Sequence, residues 1–80
     1  MNIDVARHVI RSAFRSGREL EGLLALIKEH SRPDEYQTYA KAIATAFASI
    51  HVEIVNRITA AHPELEREIE NVIAKYDRYL

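Results

Sequence analysis

His30-Ser31-Arg32-Pro33-Asp34-Glu35 is the sharpest interruption in a chain with little turn chemistry. Proline suits the first turn of a helix, where its missing N–H would have no intrahelical partner, and the two acids behind it favour the positive end of the helix dipole. One helix therefore ends just before Ser31 and another begins near residue 33. So short a connection between long helices forces them antiparallel, and positions can be paired by folding the chain about residue 32. Leu24 then meets Ala40, Leu20 meets Ala44 and Gly17 meets Phe47. A large side chain faces a small one at each level, as interdigitated packing requires.

Upstream of the interruption, Ile3, Ala6, Ile10, Ala13, Gly17, Leu20, Leu24 and Ile27 recur at alternating spacings of three and four, with Val9, Phe14 and Leu23 flanking them. That is the heptad stripe of an amphipathic helix. Asn2 is placed to cap it and Asp4 lies in its first turn, so the spacing predicts a helix over 3–30. Ser16-Gly17-Arg18-Glu19 also has the pattern of a capping box, which would start a new helix at residue 17. The stripe passes through Gly17 without a slip, which favours a continuous helix. Downstream, Tyr36, Ala40, Ile43, Phe47, Ile50, Ile54, Ile58 and Ala61 form a second stripe, flanked by Ala44, Ala48, His51, Val52 and Val55. It predicts a helix over 33–61. His62-Pro63-Glu64 repeats the terminator chemistry, and Leu65, Ile69, Val72, Ile73, Tyr76 and Leu80 then share one face of a third helix over 63–78.

Composition agrees with an all-α chain. Among 80 residues there are two glycines and two prolines, too few for a succession of hairpin turns, and 48% of residues are hydrophobic against 29% charged. These proportions predict one folded, soluble domain over 1–80. Eleven Lys and Arg against twelve Asp and Glu leave no global positive excess of the kind that nucleic-acid or anionic-membrane binders carry. With no cysteine, disulfides, thiol nucleophiles and cysteine-ligated zinc are all excluded. The least charged stretch, Ala42 to Ile50, is far shorter than the roughly 20 apolar residues of a membrane span. No secretory leader is evident at the start. Residues 1–18 carry four arginines and one acid on an amphipathic pattern that faintly resembles a mitochondrial presequence, but the same stripe continues into the core. A cytoplasmic protein without a membrane partner is expected.

The third helix is too short for the other two. It spans about 24 Å where they run about 40 Å, so from the Pro63 end it should pack beside Val55, Val52 and Ala48 and stop near Thr45. Leu20, Leu23, Leu24, Ile27, Tyr36, Tyr39 and Ile43 would then form an uncovered apolar tip. Exposed patches of that kind usually mark interfaces, and a small chain without staples gains from sharing its core. The expected fold is all-α: a long antiparallel helical hairpin with a shorter C-terminal helix, forming a helical-bundle homodimer. A compact monomer is the alternative if the first helix breaks at Ser16-Gly17.

Few residues carry chemistry. Arg7, Arg11, Arg15 and Arg18 fall within a helical arc of about 80° and could hold phosphate or carboxylate by forked contacts. A solvated face partly neutralised by acids is the plainer reading, and pairing with Glu64, Glu66, Glu68 or Glu70 is a third. His8, His30, His51 and His62 form no pair at metal-ligand spacing, and His51 and Glu53 point about 200° apart on a helix. No serine stands in a nucleophile elbow, and no glycine loop could cradle phosphate. Tyr36, Tyr39, Tyr76 and Tyr79 are amphipathic anchors suited to packing surfaces. The expected function is a non-enzymatic protein–protein interaction module without metal or cofactor: a small adaptor, regulator or immunity-type binder, acting as a homodimer or on another protein. The alternative is a nucleic-acid-associated regulator that uses the arginine face.

Overall fold

The computed structural model describes residues 1–79, and among them the fold is all-α without strands. Helix α1 spans Ile3–His30, α2 Pro33–Ser49, α3 Asn56–Ala61 and α4 Pro63–Tyr76; a π-helical segment, Ile50–Val55, joins α2 to α3 without a turn. Asn2 caps α1, its Oδ1 accepting from the Val5 N–H at 2.9 Å. No break occurs at Gly17: Ser16 donates its hydroxyl to the Ser12 carbonyl, a bond along the helix and not a cap on a new one. The four-short-helix alternative is therefore set aside. At the next boundary Glu35 reaches back to accept from the Arg32 N–H at 3.2 Å, with Pro33 in the first turn of α2.

Side-by-side contacts descend along α1 as they ascend along α2. The Lys28 ammonium lies 5.9 Å from the centroid of the Tyr36 ring, Gly17 meets Phe47, and Phe14 meets His51. Gly17 is required at its level, because a Cβ there would stand 2.9 Å from Phe47 Cε2. Gly22 is different: a Cβ would meet nothing within 4 Å. Since glycine in an exposed helix interior is about 0.8–1 kcal/mol less favourable than alanine, Gly22→Ala should raise stability by roughly that amount, read as a higher urea midpoint.

The π segment corrects the predicted stripe. The Asn56 N–H bonds the His51 carbonyl, five residues back, so this turn holds more residues than an α turn. The inward position consequently moves on by one. Val55 is 5% exposed and Ile58 is buried, whereas Ile54 faces outward and Val52 is 55% exposed.

One residue, His62, joins α3 to α4, with its N–H on the Ile58 carbonyl and its own carbonyl accepting from Leu65. Helix α4 then packs against the first half of α1. The core is Ala6, Ile10 and Ala13 from α1, Val55 and Ile58, and Leu65 and Ile69 from α4, closed by Tyr79. Of the three neighbours expected for α4, Val55 is in this core, but Val52 and Ala48 face solvent, Ala48 because it lies about 140° round α2 from buried Ile43. The helix also ends earlier than residue 78. Asp77 adopts a left-handed conformation (φ 60°) after Tyr76, and the tail folds back so that Tyr79 is buried against Phe14, ring centroids 5.0 Å apart. Leu80, expected on the α4 face, lies outside the described residues. Ile73 and Tyr76 of that face are exposed.

The molecule is a thin slab of 45 × 25 × 15 Å with a radius of gyration of 14.8 Å. A compact chain of this length has about 12 Å.

Candidate interaction surface

The arginine row divides in two. Within its arc, Arg7 and Arg18 lie nearest the core seam, and the C-terminal part of the chain engages both. Arg7 Nε donates to Glu68 at 2.9 and 3.2 Å, and its Nη1 reaches Asp4 at 3.0 Å. The hydrogen bonding of Arg7 to the accepting Glu68 carboxylate is the main cause holding the guanidinium above its ordinary pKa. Arg18 Nη1 donates to the Tyr79 carbonyl at 2.6 Å. Arg11 and Arg15, farther round the helix, are exposed. Of the acidic run, Glu68 meets Arg7, while Glu64, Glu66 and Glu70 are exposed.

His51 sits on the π segment, half-buried, with its ring edge-on to Phe14 at 5.2 Å and tilted against Phe47 at 4.8 Å. With Tyr79 these rings form an aromatic chain that pins the tail to α1. His62 belongs to the turn before α4, and His8 and His30 are exposed. Among the described residues no three His, Asp or Glu side chains come together as a metal-holding group, and no helix is long and apolar enough to cross a membrane.

The described ties of α4 and the tail to α1 run from Arg7 to Arg18 and no farther toward the Ser31 turn. Past that limit, among the described residues, no hydrogen bond or ring contact from α4 or the tail reaches the two long helices. Leu23 is 43% exposed and Tyr39 53%. Leu20, Leu24, Ile27 and Tyr36 are half-buried, and Ile43 is buried between the helices. Leu26, absent from the predicted tip, is 54% exposed. It escapes a heptad reading because it lies outside the stripe, yet its signal was present: Leu23-Leu24-Ala25-Leu26-Ile27 is apolar all round the helix, which is unusual for a helix with one wet face.

The sequence fits no known family, and neither a characterised protein nor a solved structure is significantly similar to it.

Proposed function

We propose that this chain is a non-enzymatic protein–protein interaction module: a helical hairpin, stiffened at one end by α4, whose other end is the contact surface and forms a helical-bundle homodimer. The observation that carries this reading is the set of exposed apolar side chains Leu23, Leu26 and Tyr39 at the end α4 does not reach. Apolar side chains scattered singly over a surface need no explanation, but three exposed at one end of the hairpin, with half-buried Leu20 and Ile27 at the same end, suit an interface. Regulator, adaptor and immunity-type roles all use such a surface.

Sedimentation equilibrium across a wide concentration range tests the reading. The expected mass is twice that of the chain, moving to one chain mass in Tyr39→Glu with helicity retained, because a carboxylate would be buried unpaired at the contact. A wild-type mass of one chain throughout would overturn the homodimer. The arginine face has weaker support as a nucleic-acid surface: Arg7 and Arg18 are engaged within the chain, leaving Arg11 and Arg15 outward.

A further inference from the structure

Resting on that reading, we infer that the second copy docks on the side of the hairpin turned away from α4, along a second stripe of α1. Helix α4 and the tail hold Arg7, Phe14 and Arg18. At about 100° per residue these three project roughly 60–100° to one side of Gly17. Phe47 and His51 belong to the same side, since Phe14 touches His51 and Tyr79. On the opposite side, roughly 60–120° from Gly17, the same projection places Val5, Ser16, Leu20, Leu23 and Ile27, together with Val9, which packs against the chain's own core. Toward the Ser31 turn this stripe keeps a heptad beat, and the described hydrogen bonds and ring contacts of α4 and the tail with α1 are all on the other side. Tyr39 of α2 joins it, because it falls on the opposite side of buried Ile43 from Phe47.

The stripe has the texture of a helix seam. Its apolar side chains are half-buried or exposed, and between Ser16, Glu19, Leu20 and Leu23 lies a shallow groove of about 400 Å³. A serine among leucines leaves a hole of the kind a neighbouring helix fills with a knob.

Area identifies the occupant. The chain exposes 5859 Å². A compact monomer of its mass exposes about 4900 Å², so the excess is about 900 Å². A standard interface covers about 800 Å² on each partner. The surplus therefore matches one self-complementary face, and two thin slabs stacked through it give a closed four-helix core with both α4 helices outside. In a twofold pair the same patch serves both copies, which is why one stripe suffices.

The test compares two sides of the molecule by sedimentation equilibrium. Leu23→Glu should weaken dimerisation by about 30-fold or more, the size of an interface hot spot, and Leu23→Ala by less. Ile73→Glu, on exposed α4, should leave the dissociation constant within about threefold. Circular dichroism on each variant separates lost association from lost folding, and Leu23→Ala, which keeps helix propensity, carries the comparison if the glutamate variant unfolds. A dimeric wild type broken by Ile73→Glu and untouched by both Leu23 variants would overturn this inference while leaving the homodimer in place. A monomeric wild type would overturn both.

Discussion

Leu65→Ala is expected to lower the unfolding free energy by about 2–5 kcal/mol, the range for deleting a fully buried leucine side chain. Leu65 is 1% exposed in the first turn of α4 and packs within the cluster that contains Ala6, Ile10 and Ile58. The connection to α3 is one residue long, so α4 has little freedom to slide and fill the cavity that truncation leaves. A chain of 80 residues is stable by about 4–12 kcal/mol, and the loss is a large share of that. Urea unfolding followed by circular dichroism, with small proteins losing about 1 kcal/mol or more per molar urea, should show the midpoint fall by about 2 M. An unchanged midpoint would mean that α4 contributes nothing to the core in solution. The protein concentration must be held fixed, because association adds to apparent stability by mass action.

The second large effect is expected at Gly17. Gly17→Leu should destabilise by about 1–3 kcal/mol through overpacking, since even the first carbon of a side chain would sit 2.9 Å from Phe47 Cε2. The Phe47 ring cannot simply swing aside, because it is held tilted against His51 at 4.8 Å. Gly17→Ala carries the same clash with less volume, and alanine's better helix propensity offsets part of it, so it should destabilise less. Shortening the opposing ring with Phe47→Leu in the Gly17→Ala background should recover part of the loss, a coupling that a double-mutant cycle measures directly. If Gly17→Leu left the urea midpoint unmoved, the register between α1 and α2 would be wrong.

Much of the local structure was legible in the residues. Asn2, Pro33 and Pro63 mark helix starts by chemistry that acts within one turn, and the structure has helices beginning at Ile3, Pro33 and Pro63. The opposition of Gly17 and Phe47 was legible too, because a two-residue connection leaves almost no freedom in register. The candidate surface was legible only in outline. Leu23 and Tyr39 of the expected tip are exposed, Ile43 is buried within the chain, and Leu26 is hidden from a reading that follows one face at a time. The arginine row looked uniform in spacing, yet two of its members are bonded to α4 and the tail and two are not.

Periodicity and terminator chemistry act over a turn or two of helix, and at that range the residues alone settle an all-α chain with boundaries at the two prolines. Three features lie beyond that range. The π turn at Ile50–Val55 swaps Ile54 for Val55 in the core; nothing in a mostly β-branched run says where an extra residue will be absorbed, because the shift depends on what the opposite helix presents. The left-handed Asp77 and the return of Tyr79 to Phe14 depend on a cavity formed by other helices. Which side of the long helices α4 takes depends on the same partners. A heptad stripe states that a face will be buried, but both of its shoulders carry apolar residues here. Only the direction in which the chain leaves His62, with Glu68 set against Arg7, decides which shoulder α4 covers.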